Sequence, residues 1–84
     1  MTRFWAEGQL IAVVSDEAAR PNHFAWQGRT HQVGAIARMW RVDFGWWGLR
    51  VWRDYFKVTT DSGLLVVIYH DLLTGQWFLQ RLYD

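Results

Sequence analysis

The chain has no cysteine and a single proline. Without cysteine, disulfide staples and thiolate metal sites are excluded. Only three histidines are present, His23, His31 and His70, and no His-rich spacing accompanies them. A zinc site therefore has no sequence support, and the histidines read as surface or rim residues. Serine is equally scarce. Ser15 and Ser62 are the only two, and neither sits in a Gly-x-Ser-x-Gly elbow. No glycine-rich phosphate loop is present; the tripeptide Asp43–Gly45 (DFG) has none of the kinase motifs that would give it meaning. No long hydrophobic run exists. The longest, Leu64–Tyr69, is far too short to span a bilayer. The N-terminal MTRFWAEG lacks the charged and apolar regions of a targeting segment. These absences predict a soluble, cytoplasmic chain with no membrane partner, no metal, no cofactor and no catalytic constellation.

Charge is nearly balanced, with nine basic against eight acidic residues and a pI near 8.2. That is not the footprint of an autonomous nucleic-acid binder. The distribution is uneven, though. Residues 38–57 carry five basic and two acidic groups, a local excess of +3, and the remainder carries −2. Eight of the nine cations are arginine, the residue suited to bidentate contacts and to stacking on rings.

What the chain has in abundance is aromatic side chains: seven Trp, five Phe and three Tyr among 84 residues. A single domain of this size hides only about 60–65% of its unfolded surface. Each aromatic buries roughly 150–250 Å², so a few rings can replace many aliphatics. The hydrophobic share is 51%, more than so small an interior holds. Part of it should lie outside as a contiguous patch, which marks a partner site. A homodimer is one expectation, because the C2 dimer is the commonest assembly.

Short apolar runs punctuated by Gly, Asp and Asn predict an all-β domain over residues 1–84. Strands are expected at Gln9–Ser15, Asn22–Trp26, Thr30–Val42, Leu49–Thr60, Leu64–His70 and Gln76–Tyr83. Alternation along the third breaks near Gly34-Ala35, as a β-bulge would cause, so that Ile36 shares a parity with Arg38 and Trp40; a helix over Val33–Trp40, with Ile36 and Trp40 one turn apart, is the competing reading. Ser15–Ala19 is compatible with a short helical turn capped by Ser15. Gln27-Gly28, Asp61–Gly63 and Asp71–Gly75 read as turns, and Asp43–Gly48 (DFGWWG) as a loop. In the fourth strand, Trp52, Phe56 and Val58 form one face, predicted core, and Val51 and Tyr55 the other. In the last, Phe78 and Leu82 oppose Trp77, Leu79 and Tyr83. Leu64–His70 is apolar on both faces and should be central. About six antiparallel strands in a twisted meander, closing into a small barrel or roll of SH3-like or OB-like size, is the expected fold, since closure hides sheet edges.

Five fragments line up in order: PNHFAWQGRTHQV (Pro21–Val33), RMWRV (Arg38–Val42), WW (Trp46-Trp47), RDYFKV (Arg53–Val58) and YHDLLTGQWFLQRLYD (Tyr69–Asp84). Together they resemble a small bacterial domain family of unknown function, over nearly the whole chain after Leu10. The family pattern has Arg at the positions of Gln27 and His70, so each departure removes a positive charge. Members of that family are free-standing or lie near the C-terminus of proteins related to Y-family translesion DNA polymerases. The resemblance thus implies an accessory role in DNA repair or damage tolerance.

Arg41–Phe56 (RVDFGWWGLRVWRDYF) is the densest stretch, with three Trp, two Phe, one Tyr and three Arg in sixteen residues. Arg41, Trp46, Trp47, Arg50 and Arg53 are the candidate binding residues. As a stacking platform they would serve a single-stranded nucleic acid, at about 1–3 kcal/mol per stacked base. As Trp and Arg hot spots they would serve a protein partner or a second copy. Two indoles flanked by glycines cannot both turn inward. Carboxylates for acid–base work would come from Asp54, Asp71 or Asp84; Asp54, flanked by aromatics, reads instead as a buried partner for an arginine or for backbone N–H groups. A non-enzymatic protein-binding domain is the first expectation and a single-stranded nucleic-acid binder the alternative.

Overall fold

The computed structural model describes residues 2–83; Asp84 lies outside them. Six antiparallel strands follow one another: β1 (Arg3–Ser15), β2 (Pro21–Trp26), β3 (Arg29–Trp46), β4 (Leu49–Thr60), β5 (Leu65–Asp71) and β6 (Trp77–Tyr83). Each pairs with its neighbour in sequence, and β6 returns to β1, so the meander closes into a barrel. The expected all-β meander and its closure are therefore present. No helix of the described residues is long and apolar enough to cross a membrane.

The interior is built from alternate residues of the strands. Ile11, Phe24, Phe56, Val58, Val66, Ile68, Trp77, Leu79 and Leu82 form its core. Trp5 and Trp26 pack against that core and meet edge to face at 6.3 Å. A second cluster lies on the outside of the same sheet. Tyr55, Val67 and Tyr69 are buried there beneath Trp40, Val42, Phe78 and Tyr83. β5 is thus covered on both faces, as its unbroken apolar run requires.

Several local expectations need correction. β1 begins at Arg3 rather than Gln9, because an irregular stretch between Phe4 and Gln9 hides its alternation. Gly8 (φ 80°) crosses there directly over Phe78 and Tyr69. No helical turn follows Ser15. Asp16 closes that connection instead, its carboxylate accepting the N–H groups of Ala18 and Arg20. These hydrogen bonds, Arg20's first, hold the Asp16 carboxyl below its ordinary value. The bulge at Gly34 is present, but a second register shift between Ile36 and Arg38 turns Ile36 inward while Arg38 and Trp40 face out. A shift between β5 and β6 likewise sends Leu82 inward with Trp77 and Leu79, and Tyr83 outward with Phe78. His31 is buried rather than at the rim, with its Nδ1 2.8 Å from the Ser62 hydroxyl.

The largest correction concerns Asp43–Gly48. It is not a loop. β3 runs through to Trp46, and the β3–β4 ladder stays in register from Arg38↔Lys57 to Trp46↔Leu49. β2 pairs with β3 only as far as Gln32, and β5 pairs with β4 only from Arg53. Residues 43–51 therefore leave the barrel as a two-stranded arm, with the Trp52 carbonyl at its root still accepting the Leu72 N–H at 2.8 Å, within overall dimensions of 41 × 32 × 23 Å.

Candidate functional site

The arm ends in a two-residue turn, Trp47-Gly48, with φ of 50° and 78°. Gln27-Gly28 makes the same turn between β2 and β3, with φ of 51° and 73°. Positive φ at both central positions defines the type I′ turn, whose twist matches a hairpin. Its first position favours Asn, Asp or Gly. A side chain as bulky as Trp is strained there by roughly 1–2 kcal/mol. Trp47 is nonetheless 85% exposed, and among the described residues the one aromatic ring its indole meets is Trp46, edge to face at 6.0 Å.

Pairing fixes which side chains share a face, because residues opposite one another in a ladder point the same way. The pairs Trp46–Leu49, Phe44–Val51, Val42–Arg53 and Trp40–Tyr55 make one face, which continues onto the outer surface of the barrel. There the rings form a ladder across four strands. Trp40 stacks on Tyr55 at 5.3 Å, Tyr55 meets Tyr69 at 5.1 Å, and Tyr69 stacks on Phe78 at 5.0 Å. Two cations lie over ladder rings, Arg38 on Trp40 and Arg53 on Tyr69, and two over other rings, Lys57 on Tyr83 and Arg81 on Phe4. Tyr69 is sealed beneath them at 2% exposure, and its hydroxyl donates to the Glu7 carbonyl at 2.7 Å. Burial raises its pKa above the ordinary 10.0. Tyr83, accepting from Arg81 at the rim, is held below that value.

The opposite face of the arm is charged. Arg41 grips Asp54 through two hydrogen bonds of 2.7 and 3.0 Å. Asp54 is buried, as expected of an arginine partner. Arg50 reaches Asp43 at 3.4 Å and lies over the Trp52 ring at 4.9 Å. Trp52 shares its side of the strand with Phe56 and Val58, but it stands at the root of the arm, past the end of the barrel core. It lies half-buried under Arg50 and outside the core.

The five candidate residues are therefore divided. Trp46 and Arg53 lie on the aromatic face, Arg41 and Arg50 on the charged face, and Trp47 at the tip. They do not form one platform. The sequence reading missed Phe44 and Leu49, which stand exposed beside Trp46. Recognising Trp47-Gly48 as the counterpart of Gln27-Gly28 would have extended the alternation through both.

Among the described residues no pocket opens and no group of three His, Asp or Glu could hold a metal ion. Compared with protein-family models, curated proteins and solved structures, the chain finds no match.

Proposed function

We propose that the chain is a non-enzymatic protein-binding domain whose contact surface is the tip and aromatic face of the β3–β4 arm. One observation carries the reading. Trp47 occupies a strained turn position and gains almost no burial in return. Local rules broken without internal compensation are characteristic of functional sites. Phe44, Trp46 and Leu49, each more than half exposed, extend the same apolar surface. Trp is prominent among the anchors of protein interfaces. The family resemblance adds a setting, an accessory role beside the DNA-damage-tolerance machinery.

The observation favouring a single-stranded nucleic acid instead is the set of cations over the outer ring ladder. Two of its proposed ligands, Arg41 and Arg50, are already engaged by Asp54 and Asp43 on the other face. Tyr55 and Tyr69 are buried and present no open ring. Protein contact is the better reading.

The test immobilises the intact chain and the Phe44→Ser/Trp46→Ala/Trp47→Ala variant, and passes extract of the native cells over both. A protein retained by the first and lost by the second, with both barrels intact by circular dichroism, is the expected result. Equal retention on both removes the arm from the site. Titration with single-stranded DNA should leave tryptophan fluorescence unchanged at low salt; strong quenching with a steep salt slope would favour nucleic acid.

A further inference from the structure

The arm exposes an edge as well as a face. Among the described residues β3 has no strand partner on its outer side beyond Gln32, and the regular segment Arg38–Trp46 carries no bulge or proline that would blunt it. In a hairpin with a two-residue turn, the flanking pair Trp46–Leu49 exchanges hydrogen bonds. Backbone polarity alternates along a strand, so Phe44, Val42 and Trp40 also address β4. Met39, Arg41, Asp43 and Gly45 then direct their N–H and C=O groups to the open edge. All four residues are exposed. Such an edge is a template for another strand.

We propose that a second copy of the chain pairs antiparallel along this edge, with the two-fold axis at Val42. The inference deepens the protein-binding reading and rests on it by naming one partner. Charge chooses the register. A two-fold axis must bring residues of like facing together, which leaves three central registers. An axis at Arg41 places two guanidinium groups opposite each other; an axis at Asp43 places two carboxylates opposite each other. Like charges directly opposed are destabilising. An axis at Val42 sets Arg41, which keeps its own Asp54, against the partner's Asp43, which keeps its own Arg50, so unlike charges adjoin and no like pair is opposed. It also places Trp40 beside the partner's Phe44 and Arg38 beside the partner's Trp46, a cation–π pairing. Met39 faces the partner's Gly45, where there is room for it. Arg41 and Asp43 are then hydrogen-bonded pairs, with both backbones presenting outward groups, and Val42 is a non-hydrogen-bonded pair. Stacking two aromatic faces instead would gather Arg38, Arg53, Lys57 and Arg81 of both copies into one interface, and like charges brought together are destabilising.

The absence of cysteine makes the register directly measurable. In a non-hydrogen-bonded antiparallel pair the Cα atoms are about 4.5 Å apart, within the disulfide range of about 4.4–6.8 Å. Val42→Cys should form a covalent dimer under mild oxidation at least tenfold faster than Arg41→Cys or Asp43→Cys. Faster linkage at either of those positions, or none at Val42, overturns the register. Sedimentation of the unmodified chain keeps the proposal falsifiable if a cysteine variant fails to fold. Asp43→Pro removes one outward N–H and the carboxylate set against the partner's Arg41, without deleting a β3–β4 backbone hydrogen bond, so it should raise the dimer dissociation constant at least tenfold. A wild-type chain that remains monomeric at a few hundred micromolar refutes the dimer. That outcome is separable from failure of the protein-binding reading, which is judged by whether the triple arm variant loses a captured protein.

Discussion

Replacing Trp47 by Asn should stabilise the protein, contrary to what removal of a large aromatic ordinarily does. The turn holds Trp47 at φ 50°, where a bulky residue costs roughly 1–2 kcal/mol and Asn much less. Against this stands the loss of the edge-to-face contact with Trp46. A buried aromatic pair is worth about 0.5–1.5 kcal/mol; this one is largely in water and lies at the low end. The balance is a gain of about 0.5–1 kcal/mol. For a domain of 60–100 residues each kcal/mol moves the midpoint by about 4–8 °C, so a rise of about 2–8 °C is expected. Gln27→Asn supplies the reference. It relieves the same geometry, φ 51°, at the other two-residue turn, where no indole is lost. Thermal unfolding followed by far-ultraviolet circular dichroism, with both variants at one concentration, reads the two shifts. The gain at position 27 should equal or exceed that at 47, and the difference measures the Trp46–Trp47 contact. A lower midpoint for Trp47→Asn would mean that the indole supports the fold. The case for its being placed to meet a partner would then fall.

Two further predictions concern the barrel. A methyl added at Gly8 would meet the Cβ of Phe78 at 2.7 Å, at φ 80°, whereas at Gly48 (φ 78°) it meets nothing within 4 Å. Gly8→Ala should therefore cost about 1–3 kcal/mol more than Gly48→Ala, the overpacking penalty alone, measured by urea unfolding. The raised pKa of Tyr69 means that the folded state keeps a proton the unfolded chain gives up at pH 10.0. Its contribution is fully present below that pH and is lost as pH rises through the higher folded value. Tyr69→Phe should cost about 1 kcal/mol at neutral pH through the lost bond to Glu7, and the stability difference should shrink above pH 10. A difference that stays constant through the alkaline range would refute this assignment.

The strands were largely legible because this barrel obeys a period of two wherever its ladders are regular. Leu49–Thr60 keeps its alternation, which places Phe56 and Val58 in the core and Tyr55 on the other face; Trp52 shares the parity of Phe56 but lies beyond the core. The errors fall where register shifts. Ile36 stands just before one irregular pairing and Leu82 just after another, and a one-residue slip reverses every subsequent side chain. The arm failed for another reason. Exposed rings beside glycines suggested a loop, since no barrel core awaited them. Its regularity comes from the partner strand, through the Arg41–Asp54 and Asp43–Arg50 pairs and a two-residue turn. Those pairings depend on register, which composition does not reveal. The division of Arg41 and Arg50 from Trp46 followed from the same missed strand.

Five of the six ladders join strands adjacent in the chain, and only β6 with β1 spans its length. Assembly can therefore proceed by successive hairpins at low loop-closure cost, each ready as soon as its second strand is available. The final seam has no such local route. Until Trp77 meets Ile11 and Phe78 meets Leu10, two bare strand edges coexist with an unfinished interior. The slow, aggregation-exposed moment in the life of this chain is thus the joining of its first and last strands.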